Sequence, residues 1–236
     1  MLGVLPDRKK ATGKAFLSGI PQRVRQTIYS VCSDMYEGFV NAANEVFGQR
    51  VKMVIDRFHV AKLYRSGLDR LRKQELKRLK QTLSEEEYGQ LTGAMWALRK
   101  KEEKLTDKDK DILACFFAYS PCLKTAYALC GELTALFESQ ISKRGGKRAL
   151  KRWMKKVRES GLRCFDSFLS TLETWLDDIA NYFIDRHTSG FVEGFNNKLK
   201  VIKRRCYGIL NVTHLFQRIQ LDLYGYALFV PKITEL

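Results

Sequence analysis

The sequence predicts an α/β layer that carries a large all-helical insertion. Strand and helix patterns alternate with short connections through the first 60 residues, which implies parallel strand pairing. From Phe58 to about Tyr182 every apolar pattern has helical spacing. There is no repeat, low-complexity tract or flexible linker, so the helical stretch is expected to pack on the α/β part and not to hang from a tether. The expected division is 1–60 for a partial α/β core, 61–185 for the helical insertion and 186–236 for carboxyl-terminal core helices.

In chain order, Leu2–Pro6 reads as a strand, and Asp7 can cap the helix that carries Ala15, Phe16 and Ile20 before Pro21. Thr27–Asp34 is a second strand ending in an acid. Tyr36, Phe39, Val40, Ala43, Val46 and Phe47 then fall at helical spacing, and Gly48 ends that helix. Val51–Asp56 is a third strand, again ending in an acid. In the helical stretch, Ser84 and Glu87 have the spacing of a capping box. A later helix opens on Thr106 and stops at Pro121. The basic run Lys143–Arg158 is either a solvated face or a phosphate-facing one. The chain finishes with the basic segment SGFVEGFNNKLKVIKRRCYG and a final helix from about Thr213 to Phe229.

Composition narrows the function. The formal net charge is +16, from 42 Lys and Arg against 26 Asp and Glu, which points to a polyanionic partner and to nucleic acid first. The longest apolar runs, such as Ile112–Tyr119, fall well short of the roughly 20 residues of a membrane span. No charged segment followed by an apolar core opens the chain, so no signal peptide is expected. None of the six cysteines forms a C-x-x-C pair. They read as reduced, small apolar residues of a cytoplasmic protein, with Cys115, Cys122 and Cys130 expected to face one core.

The acids carry the chemistry. Asp34 and Asp56 each end a predicted strand, at the edge of an open α/β sheet where ligands gather. Glu193 heads the basic segment. In that helix Phe191, Phe195, Leu199 and Ile202 form an apolar stripe, while Glu193, Asn197, Lys200 and Arg204 share another face. If the stripe packs on the sheet, Glu193 sits near the sheet's edge and the bases run outward from it. Carboxylates suit magnesium, and two such ions can promote phosphoryl transfer while the bases hold a nucleic-acid backbone. The bland readings are a helix cap for Asp34, a turn-capping acid and a hydrogen-bonded histidine for Asp56 and His59, and a favourable helix-dipole contact for Glu193.

The stretches SDMYEGFVNAANEVF, VKMVIDRFHVAKL and SGFVEGFNNKLKVIKRRCYG resemble the transposases of bacterial insertion sequences of the ISL3 group, over nearly the whole chain. That resemblance implies a DDE enzyme with an RNase H-like core and two magnesium ions. Asp34 matches the second catalytic Asp and Glu193 the final catalytic Glu, both as metal ligands. Asp56 and His59 match a supporting D-x-x-H pair, and the helical stretch matches an insertion domain. Asn197, Lys200, Lys203, Arg204 and Arg205 are the expected DNA contacts. Such a core begins with three strands and carries its first Asp on the first of them. Here one predicted strand precedes the first helix, so the core is expected to be incomplete, lacking two strands, the first catalytic Asp and the DNA-reading amino-terminal region.

The implied function is DNA transposition at insertion-sequence ends by a truncated bacterial copy, with end and target DNA as partners. A homo-oligomer or pairing with an intact transposase is the further expected association, and no membrane is involved. The first alternative is an inactive remnant that binds DNA, or an intact transposase, and inhibits it. The second is a basic helical RNA-binding protein without metal chemistry.

Overall fold

The computed structural model describes residues 3–229, with the side chains of Glu193 and of residues 226–229 outside the described set. Most of these residues are helical. The chain divides into two compact units, one formed by residues up to Met53 together with those from His187 onward, the other by Val54–Arg186.

In the first unit, β1 (Ser30–Ser33) and β2 (Lys52–Ile55) form a two-stranded parallel sheet, with α3 (Glu37–Phe47) as the crossover. The unit boundary falls inside β2. The amide of Lys52 donates to the Tyr29 carbonyl at 3.0 Å, at the start of the pairing. Both strands are four residues long, shorter than the patterns at 27–34 and 51–56 suggest. Gly48 ends α3 at φ 66°, a left-handed conformation that a residue with a Cβ adopts at a cost.

The predicted strand at Leu2–Pro6 is not formed over its described residues. Apolar alternation is a weak signal without a partner that offers ladder hydrogen bonds. Val4 instead packs on a helical cluster of Ile202, Leu215 and Ile219. Asp7 also differs from expectation. Helix α1 (Lys10–Ser18) has Lys9 as its N-cap, and Asp7, two residues before that position, accepts the Lys9 amide at 2.9 Å. α1 packs on α3, where Lys10 and Lys14, one turn apart, both pair with Glu45. Those two ammonium groups hold the Glu45 carboxyl down at about 2. Arg50 fastens the short helix α2 (Gln22–Arg25) by donating to the carbonyls of Arg25, Gln26 and Ile28.

The second unit is all helix after the end of β2. Its long members are α4 (Arg57–Leu79), α7 (Asp107–Tyr119), α8 (Pro121–Glu138), α9 (Lys143–Glu159) and α10 (Asp166–Ala180), with α5 (Glu85–Gly89), α6 (Ala94–Ala97) and α11 (Tyr182–Asp185) as short connectors. None of the described helices is long and apolar enough to cross a membrane. The ends follow the local signals. Ser84 and Glu87 form the reciprocal capping box, Thr106 and Asp109 form a second one, and Pro121 opens α8 with Ser120 as its cap. The core gathers Tyr64, Phe116, Leu123, Leu133, Leu150, Phe165 and Leu172, each less than 3% exposed. Gly146 is required by close packing, because a Cβ there would lie 2.2 Å from the Phe183 ring.

The six cysteines are free thiols. The three expected to share a core do not. Cys130 is buried, its thiol pushed up to about 12 by desolvation, while Cys115 faces the Gln90 amide and Cys122 the Ser120 hydroxyl. A seven- and eight-residue spacing keeps one face only within a single helix, and Pro121 separates Cys115 from the other two.

Asp109 links this packing to pH. Its carboxylate accepts from Lys100 at 2.5 Å and from the amide and hydroxyl of Thr106, and these contacts, led by Lys100, lower its pKa from 3.8 to about 2. The stabilisation is fully present above the unfolded value and is lost as pH falls through the folded one. Asp109→Asn is therefore expected to be less stable than the parent at about pH 6, with the gap closing below about pH 4 and gone only below about pH 2. Urea unfolding of both proteins across that range checks it. A gap that does not depend on pH would contradict an ionic origin.

Candidate functional site

β1 ends at Ser33, and the next residue, Asp34, projects a carboxylate that is 29% exposed. One oxygen accepts the Tyr36 amide at 3.2 Å. The other accepts Nη2 of Arg8 at 3.1 Å. Tyr36, not Asp34, is the N-cap of α3, so Asp34 ties the turn before the helix without capping it. The Arg8 guanidinium lies 4.8 Å from the centre of the Tyr36 ring and 5.7 Å from that of Phe39. It is thus held by two aromatic faces and one carboxylate. Sequence reasoning missed Arg8. Its contact lies 26 residues away, and nothing distinguishes it from the neighbouring Lys9 and Lys10.

The carboxyl-terminal segment reaches β1 within the same unit. The Cys32 thiol approaches the His187 carbonyl at 3.9 Å, and the Tyr29 and His187 rings have centres 5.7 Å apart. α12 (Gly190–Arg205) starts three residues later, with Glu193 in its first turn. The Glu193 side chain is outside the described set, so the expected meeting of Asp34 and Glu193 lies there too. Further along α12, Asn197, Lys200, Lys203, Arg204 and Arg205 are exposed. Lys200 leans on the Asn197 side-chain oxygen at 3.5 Å, and Lys198 pairs with Asp222 on α13 (Val212–Phe229) at 2.6 Å. Among the described residues, none of Lys200, Lys203, Arg204 and Arg205 makes an ion pair, although the charge of Arg205 acts on Asp222.

The apolar stripe of α12 differs from expectation at one end. Ile202 is buried against Leu215 and Ile219, with Phe195 and Leu199 packed partly around them. Phe191 is 84% exposed and stacks on Phe195 with centres 6.2 Å apart. The cluster that receives the stripe is therefore built from α13 and Val4. An amphipathic pattern specifies that a face is buried but not which element covers it.

In the second unit, Asp56 is fully buried and is the N-cap of α4. It accepts the Phe58 amide at 3.2 Å and faces Nδ1 of His59 at 2.9 Å. The i, i+3 spacing in a first helical turn brings these two side chains together, so the local geometry is that of a capping acid clamped by a histidine. Arg57 turns the other way and donates to the Tyr182 hydroxyl at 3.0 Å.

Among the described residues, no three His, Cys, Asp or Glu side chains gather as a metal site. The donor chemistry of Asp34 suits a hard divalent ion, since a partly exposed carboxylate offers oxygen ligands.

Comparison with known proteins shows the family of the chain. A family model described as Transposase, of the DDE type and ISL3 group, matches residues 1–219. The chain belongs to the ISL3-group DDE transposase family. It is 27% identical over 228 residues to the transposase for insertion sequence element IS1001 of Bordetella parapertussis, covering 96% of this chain and 55% of that protein. It is 26% identical over 141 residues to the transposase for insertion sequence element IS1557 of Mycobacterium tuberculosis, covering 60% of this chain and 31% of that protein. This transposase-family chain thus spans about half the length, or less, of the curated relatives it matches. No solved structure matches it.

Proposed function

We propose that this chain carries part of a transposase's metal-dependent phosphoryl-transfer site, on an RNase H-like core, and acts on DNA at insertion-sequence ends. Asp34 and Glu193 are the metal-holding carboxylates, Asp56 and His59 support the start of the neighbouring helix, and the α12 bases hold the DNA backbone. The observation that carries this reading is the approach of the His187 segment to β1 at Cys32, two residues before Asp34 and six before Glu193. Membership of the transposase family supplies the reaction class.

Magnesium, when bound, would activate the attacking oxygen and stabilise the leaving one. The chain's own residues perform the rest. Asp34 presents a carboxylate at the end of β1, one oxygen of which accepts the Tyr36 amide. Arg8 releases that carboxylate and stays stacked against Tyr36 and Phe39, where its charge can face a phosphate. Lys200, Lys203, Arg204 and Arg205 fix the strand along α12.

The test is a magnesium titration of the full chain with duplex DNA. Metal-dependent nicking that disappears in Glu193→Gln supports the proposal. The Arg8–Asp34 ion pair favours one alternative, an inactive DNA-binding remnant in which Arg8 is the lasting partner of that carboxylate. Salt-sensitive DNA binding with no nicking at any magnesium concentration would select that reading and reject catalysis by this chain.

A further inference from the structure

Helix α9 has the sequence KRGGKRALKRWMKKVRE, and its buried face is Gly146, Leu150, Trp153, Met154 and Val157. Its basic side chains are not equivalent. On one flank Lys143 and Lys147 both pair with Asp177 of α10, at 2.8 and 2.6 Å, and Arg158 pairs with Glu173 of the same helix. On the other flank Lys156 pairs with Glu132 of α8 at 2.7 Å. Between the flanks, opposite the buried face, run Arg144, Arg148, Lys151, Arg152 and Lys155, all exposed. Among the described residues Arg144, Arg148, Lys151 and Arg152 make no ion pair, and Lys155 meets only Glu159 of its own helix at 3.6 Å.

The flank residues reach acids of the neighbouring helices, whereas the crest residues point away from them. The acids of α8 and α10 neutralise the edges of α9 and leave its crest uncompensated, so like charges crowd along one line at a cost in self-repulsion. The crest is straight and spans about 16 Å from residue 144 to residue 155, at ~1.5 Å per residue. Duplex DNA carries one phosphate per ~3.4 Å of axis on each strand, so a line of that length faces about five phosphates. Beside the crest, Leu136, Ile141 and Ala149 line a groove together with Arg148, Lys151 and Arg152. That groove offers apolar floor for sugars next to guanidinium groups for phosphates.

We infer that the crest of α9 is a second DNA-binding site, in the helical unit, that takes the phosphate backbone of duplex DNA without reading its sequence. The occupant is set by charge complementarity and by the chain's membership of a transposase family. The site is separate from the carboxylate assignment and needs no metal.

The experiment measures binding of the full chain to a 30-base-pair duplex of arbitrary sequence (about three helical turns) by fluorescence anisotropy, in EDTA, at several salt concentrations. In the variant R144Q/R148Q/K151Q/R152Q the affinity at about 0.1 M salt should fall by at least about 30-fold, and the slope of log K against log salt should flatten by about 3–4. The flank variant K143Q/K156Q should change affinity by less than about threefold. An affinity for the crest variant within about threefold of the parent overturns the inference, as does an equal loss in the flank variant. A loss seen with single-stranded RNA or with anionic vesicles, and not with the duplex, overturns it as well. If circular dichroism shows that the crest variant is unfolded, Arg148→Glu alone replaces it. An affinity loss of at least about fivefold then supports the site, and a smaller one overturns it. EDTA keeps the result independent of magnesium chemistry, so failure here leaves the proposed function standing, and the reverse also holds.

Discussion

Asp34→Asn is expected to lower magnesium-dependent nicking by about 10³-fold, equivalent to about 4 kcal/mol of barrier, while duplex binding stays within about twofold. The substitution isolates charge. The asparagine oxygen can still accept the Tyr36 amide, so the turn between β1 and α3 is kept. What is lost is an anionic oxygen ligand and the partner of Arg8. Arg8 is 66% exposed, so its release to solvent costs little stability. The companion variant Arg8→Ala should act in the opposite sense. It removes a cation that competes for the same carboxylate, so nicking should reach its half-maximum at lower magnesium. Single-turnover nicking rates across a magnesium titration measure both effects. Unchanged nicking in Asp34→Asn would remove this residue from the catalytic set, whatever the outcome for Glu193.

The second large effect is on stability. Trp153→Ala should destabilise the helical unit by about 3–5 kcal/mol in urea unfolding. Trp153 is 3% exposed, its indole nitrogen donates to the Leu129 carbonyl at 2.8 Å, and its ring meets Phe165 and Phe168 edge-on with centres 5.9 and 5.7 Å apart. Truncation therefore removes apolar burial, a hydrogen bond and two aromatic contacts, and leaves a cavity among residues of α8, α9 and α10. Trp153→Phe should cost clearly less, because most of the volume is retained. A loss below about 1 kcal/mol for the alanine variant would mean that α9 is not seated on this core. The same seating is what turns the α9 crest outward, so this measurement also probes the frame of the second DNA-binding site.

The helix starts and stops were legible in the sequence because the forces that set them act within one turn. Ser84 with Glu87, Thr106 ahead of α7 and Pro121 at the start of α8 all stand where the sequence signals place them. The β1–α3–β2 unit was legible for a related reason: a short strand, an amphipathic helix and another short strand have few ways to connect. The resemblance paired Asp56 with His59, and three residues' separation at a helix start brings the two side chains together. The carboxylate site was less legible. Position at a strand end singled out Asp34, but its actual partner, Arg8, carries no local signature.

Sequence by itself thus determined the long helices, the two strands that form, the family and the surplus of positive charge. Tertiary structure alone decided that Val4 packs on helices instead of forming a strand, and that the α12 stripe is covered by α13. It also decided that the acids of α8 and α10 neutralise the flanks of α9 but not its crest. The difference has one physical cause. Caps and periodicity are governed by backbone groups and neighbours a few residues apart, whereas burial partners and ion pairs form between residues far apart in sequence, and only the folded chain brings those together.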